Sequence, residues 1–218
     1  RSTMKTLLMK ELKLAAHPTV WIFWALSAML LIPNYPYYVV FFYTALGLFF
    51  VCLAGRENHD IEYSLSLPMR KQDVVRARIW FAVVIELVQL LLAAAFAAVR
   101  QRLAIGANAA GMDVNLALFG LAFLMLGLFN FLFFTRYYQN PNAVGKAFVW
   151  SSVLTFGYLF AAEACTFVVP LFKERLDTPD PLFLPEKLAT LAVGIAAYAF
   201  LTWCAYRQSV KRFTALDL

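Results

Sequence analysis

The sequence predicts an all-α, polytopic membrane protein with six transmembrane helices. Three observations lead there. The 218-residue chain is 62% hydrophobic, 17% aromatic and only 15% charged, whereas a soluble chain is typically about 45–50% apolar and about 25% charged. Phe alone occurs 21 times. One small domain, much of whose surface stays wet, cannot bury that much apolar surface. Finally, the apolar residues gather into six runs, close to the ~17–25 residues that a crossing helix needs.

Arg1-Ser2-Thr3 precede the first Met and read as an expression remnant; residues 4–218 read as one membrane domain. Over residues 4–17, Met4, Leu7, Leu8, Leu12 and Ala15 mark one helical face, while Thr6, Lys10, Lys13 and His17 mark the other. This pattern predicts an amphipathic helix in the membrane interface, its lysines wet; a plain extension of the first span is the alternative. Pro18 then turns the chain into the bilayer. The spans are expected at 18–33, 37–54, 79–99, 115–134, 147–170 and 188–206. The first is short, and with Pro33 and Pro36 the first two runs could instead form a re-entrant hairpin.

Lys and Arg placement sets the orientation. With both termini cytoplasmic, 14 of the 19 basic residues fall inside, and Arg100, Arg102, Lys173, Arg175 and Lys187 fall outside. The net charge of +6 is then a topology signal, and no basic stripe with interleaved aromatics points to nucleic acid.

Enzymatic signatures are missing. The two histidines, His17 and His59, form no HExxH, and no GxSxG is present. Gly145-Lys146 resembles the end of a P-loop, but Asn140 and Ala147 stand where Gly and Ser or Thr are required. The pair reads instead as a loop glycine and a positive-inside lysine. Cys52, Cys165 and Cys204 lie inside apolar runs, without disulfide or metal spacing. No cofactor or metal is expected on this chain.

Polar groups within spans cost about 2.5–3.5 kcal/mol when charged and need a reason. Glu86 and Gln89 lie on the third span, Asn130 on the fourth and Glu163 on the fifth. They could line a path that favours cationic substrates, or satisfy neighbouring polar groups between helices. The small residues Ala93–Ala95, Ala97, Ala98, Ala161, Ala162 and Ala164 suggest close helix packing.

The polar stretch 55–78 between spans two and three is the most informative segment. Asp60 can cap a short helix with Ile61 and Leu65 on one face, ended by Pro68. The chain restarts at Arg70, with Val74, Val75 and Ile79 apolar and Arg76 and Arg78 expected to stay wet. This helix–break–helix offers a docking surface for a soluble partner. At Ser66-Leu67-Pro68 through the V-x-A-R of Val75–Arg78, and in the opening MKTLLMKELK, the chain resembles the ABC-2 type transporter permeases. Within these it is most similar to the permeases of bacterial phenol-soluble modulin exporters. The resemblance implies a bacterial plasma-membrane subunit that pairs with a second permease half, identical or not. It implies a separate cytoplasmic ATPase carrying ATP and Mg, and a coupling role for Asp60, Ile61, Glu62, Tyr63, Leu65, Leu67, Pro68 and Arg70. Residues 4–17 would be the connecting helix. The exported substrate would be an amphipathic peptide, cationic if the intramembrane acids line its route. The modest segment 171–187 leaves no room for a large extracellular gate domain. A membrane scaffold or sensor that recruits a partner through the same loop is the alternative from another class.

Overall fold

The computed structural model describes residue 9, residues 18–66 and residues 69–216. Every regular element among them is helical: α1 (Thr19–Ala25), continued by a 3₁₀ stretch (Leu26–Leu31), α2 (Tyr38–Glu57), α3 (Asp60–Ser66), α4 (Lys71–Arg102), α5 (Leu116–Tyr137), α6 (Val144–Val168) and α7 (Leu184–Thr214). Two shorter turns lie at Pro141–Ala143 and Phe172–Leu176. Five helices, α2, α4, α5, α6 and α7, are long and apolar enough to cross a membrane.

The first expected span is shorter than the others. Its helical part stops at Leu31 because Ile32 precedes Pro33 and takes an extended conformation, ψ 123°. At rises of about 1.5 and 2.0 Å per residue, Thr19–Leu31 covers roughly 22 Å, less than the ~30 Å hydrocarbon core. Val20 and Phe23 lie against Gly47, midway along α2, and Trp24 Nε1 donates to the Ile85 carbonyl. At the other end, Arg100 Nη1 donates to the Leu30 carbonyl. The segment therefore pairs antiparallel with the first part of α2 and spans only part of the bundle height. Of the expected interfacial helix 4–17 only Met9 is among the described residues, helical and exposed. Leu67 and Pro68 lie outside them as well.

The connections gather at two ends of the bundle. At the distal end, Asn108 Nδ2 donates to the Tyr35 carbonyl, and the Ala109 N–H to Asn34 Oδ1. The Asp113 N–H donates there to Asp177 Oδ1. At the proximal end, Arg56 Nη1 donates to the Asn142 carbonyl and Lys71 Nζ to the Leu216 carbonyl.

The most extensive helix contact is between α5 and α7. It depends on glycines. A Cβ on Gly194 would stand 2.0 Å from the Gly120 carbonyl oxygen, and one on Gly120 would stand 2.6 Å from that of Thr190. No L side chain fits there, so the two backbones meet directly. The alanines expected at helix contacts divide differently: Ala93 and Ala162 are buried, while Ala94, Ala95, Ala98, Ala161 and Ala164 are exposed. Gly145 is also not a loop residue. It sits in the first turn of α6, with nothing near its missing Cβ.

Candidate functional site

The proximal segment is built around α3. A seven-residue helix cannot hold itself in water, where about 12–15 residues are marginal, so it needs tertiary anchors. Ile61 and Leu65 supply the apolar ones, packing against the core formed by α2, α4 and α5. A polar anchor is Asp60, whose Oδ2 accepts from Arg78 Nη2 at 2.5 Å. Arg78, expected to stay wet, is only 4% exposed. Gly55 makes room for it: a Cβ there would lie 3.2 Å from Arg78 Nη1. Asp60 is the first residue of α3 rather than the residue before it; His59 precedes the helix with φ 50°.

Among the residues expected to contact a partner, Glu62, Tyr63 and Arg70 are exposed, Ile61 and Leu65 are half-buried, and Asp60 is buried. Tyr63 is the large apolar side chain on the outer face, 57% exposed. Beside α3 lies a cleft of about 270 Å³, lined by Arg56, His59, Ile61, Glu62, Tyr137 and Asn142 among others. Sequence reading missed the contribution of Tyr137 and Asn142, which are some 80 residues from α3 along the chain and reach it only through the turn after α5.

A second constellation lies deep in the helices. Glu86 is fully buried near the middle of α4. Its Oε2 accepts from the Tyr198 hydroxyl at 2.5 Å and from Asn130 Nδ2 at 2.9 Å. Thr202 Oγ1 stands 3.4 Å from the same amide nitrogen. The site thus joins α4, α5 and α7. Sequence reading found Glu86 and Asn130 but missed Tyr198 and Thr202, because a Tyr and a Thr in an apolar helix carry no distinct signal. Gln89 is buried on α4, and among the described residues neither of its side-chain polar atoms has a hydrogen-bond partner; the same is true of Glu86 Oε1 and Asn130 Oδ1.

Glu163 belongs elsewhere. Its Oε2 accepts from the Met112 N–H at 3.1 Å, and its carboxyl group fills the space that a Cβ on Gly111 would take. It braces the distal loop 103–115 against α6 and does not meet Glu86. Two cations are also buried at this end. Arg100 stands 3.5 Å from Asp113 and 5.1 Å from the centre of the Tyr37 ring, and donates to the Gly106 carbonyl. Lys187 donates to Asp180 Oδ1 and to the Thr178 carbonyl. Burial raises the Asp177 carboxyl, against the hydrogen bond from the Asp113 N–H.

Chemically, the deep constellation can hold or pass a polar group but presents no nucleophile beside a base. Among the described residues no group of three or more His, Cys, Asp or Glu could hold a metal ion. Compared with protein families, curated proteins and solved structures, the chain matches none.

Proposed function

We propose that the chain is the transmembrane half of an ATP-driven exporter in a bacterial plasma membrane, moving an amphipathic peptide outward. A separate cytoplasmic ATPase supplies the energy at the proximal end, and a second permease half completes the path. On this reading both termini are cytoplasmic, and residues 18–33 make the first of six crossings. The resemblance of Ser66–Arg78 to ABC-2 permeases motivates the class.

The observation that supports it best is the join between α3 and α4. Force applied to a surface helix reaches a span only through a stiff connection. Asp60 and Arg78 tie α3 to a 32-residue helix through a buried ion pair. That helix is roughly 48 Å long, and it carries Glu86 midway and Arg100 at its far end. A displacement of α3 would therefore be felt at both polar sites. The outer face of α3, with Glu62 and Tyr63, and the adjoining cleft are the surface offered to the ATPase; Arg70 lies exposed at the start of α4.

The test uses the chain co-expressed with a P-loop ATPase encoded beside its gene. Tyr63→Ala is expected to lose the ATPase on co-purification while the melting temperature stays within about 1 °C, as for a surface change. Unchanged affinity overturns the docking assignment. Stable binding without substrate-stimulated ATP turnover favours a scaffold over a transporter. Export unaffected by Glu86→Gln removes Glu86 from the path.

A further inference from the structure

We infer that the chain carries a preformed binding site for one acyl chain of a bilayer lipid, in a crevice between α4 and the α5–α7 pair. The inference rests on the bundle crossing a membrane and not on the transport proposal.

Helices α4 and α7 are pinned together where Tyr198 donates to Glu86. Distal to that hydrogen bond, side chains of α4, α5 and α7 line a crevice of about 370 Å³. One wall is α4, with Leu87 and Leu91 below and the small Ala94 and Ala98 above. Phe119 and Phe123 of α5 and Ile195 of α7 form the other. The mouth alone is polar, at Gln101, Asn115 and Asp180. It is held in shape by hydrogen bonds. Asn115 Nδ2 donates to the Leu176 and Thr178 carbonyls, and Asp180 accepts from the Leu116 N–H and from Lys187.

Depth and volume choose the occupant. From Leu87 to Gln101 the crevice runs roughly 21 Å along α4, at about 1.5 Å per residue. One leaflet contributes about 15 Å of the ~30 Å hydrocarbon core, so the crevice has the depth of a lipid tail whose head lies at the mouth. An amphipathic helix of that length, about 10 Å across, would fill about 1,600 Å³, so it could lie over the 370 Å³ crevice but not enter it. The crevice does take a single file of methylene-sized groups: at the ~30 Å³ of one water each, about a dozen fit. An apolar slot with a polar rim is the usual form of such a site.

The purified chain is reconstituted into phosphatidylcholine vesicles with a trace of phosphatidylcholine bearing a diazirine near the end of one acyl chain. After irradiation the labelled residues are mapped by mass spectrometry. Labelling is expected to saturate with probe and to concentrate at Leu87 and Ile195, which are 41% and 44% exposed. Val153 and Phe160 on α6, which are 61% and 72% exposed, should label weakly and in proportion to probe. Ala94→Phe fills the slot and should cut crevice labelling about tenfold, equivalent to ~1.4 kcal/mol, with α6 labelling unchanged. Equal, unsaturable labelling of both faces means annular lipid only and overturns the inference. So does an unlabelled crevice beside a labelled α6, which would mean that protein covers it. The wild-type map decides between these even if Ala94→Phe fails to fold. No ATPase and no transported peptide enters the assay, so its failure leaves the transport reading untouched.

Discussion

Breaking the Asp60–Arg78 pair should free α3 from the bundle without unfolding the spans. Both side chains are nearly out of solvent, 9% and 5% exposed. Removing one partner of a buried pair costs about 3–5 kcal/mol, because the remaining charge stays in a poor solvent. At ~1.4 kcal/mol per factor of ten, local opening becomes about 150- to 4,000-fold more frequent. The effect should be local, since α3 has only seven residues and no stability of its own. Amide hydrogen exchange read by mass spectrometry is the assay, comparing peptides over 57–66 with peptides from the centre of α5. Asp60→Leu and Arg78→Met should each lose protection in α3 by about that factor and leave α5 protected. The double variant should recover most of it, because an apolar pair of similar volume is often as stable as the ions it replaces. Wild-type protection in the single variants, or a double variant as exposed as the singles, refutes the reasoning.

Three further outcomes are expected. Gly194→Ala drives its methyl group into the Gly120 carbonyl, while Gly145→Ala meets open space. The first should cost at least about 1–3 kcal/mol, or about 2–4 °C of melting temperature per kcal/mol; the second should be neutral or slightly stabilising. Equal melting temperatures in detergent would contradict the close approach of α5 and α7. Glu86→Leu strands the Tyr198 hydroxyl and the Asn130 amide, at about 1–3 kcal/mol each, whereas Glu86→Gln keeps an acceptor oxygen. Thermal denaturation should therefore rank Gln above Leu, and the reverse order would disprove the pairing. Burial raises the Asp177 carboxyl above 3.8, against the hydrogen bond from Asp113. An acid that holds its proton more tightly when folded adds stability at low pH, and this is lost as pH rises through the folded value. Asp177→Asn, which keeps an oxygen for the Asp113 N–H, should flatten the decline in melting temperature above pH 3.8; an unchanged slope would count against the assignment.

The long helices were legible because hydropathy is a local property and each run announces itself. The shortened first helix was half legible: Pro33 set the end through its effect on Ile32, but only the contacts of Phe23 and Trp24 gave its height in the bundle. Arg78, expected wet, is buried, and Arg100 and Lys187 at the distal end are buried as well. A basic residue at a helix end is normally wet, and what reverses that is a specific acid or carbonyl arriving from elsewhere. The close approach of α5 and α7 left no motif, because Gly120 and Gly194 lie on different helices and neither belongs to a GxxxG.

The sequence by itself determined an all-helical, membrane-like chain, its five long apolar helices and the short helix outside them. Apolar length, proline and charge act within a few residues of where they stand. Tertiary structure decided which intramembrane polar groups meet. Glu86 joins Asn130, Tyr198 and Thr202, while Glu163 turns away to brace a loop. It also buried the ion pair under α3 and opened the crevice beside α4. The physical reason for the polar pairings is that a buried polar atom needs a partner, and a partner 18, 44 or 112 residues away is chosen by how helices pack.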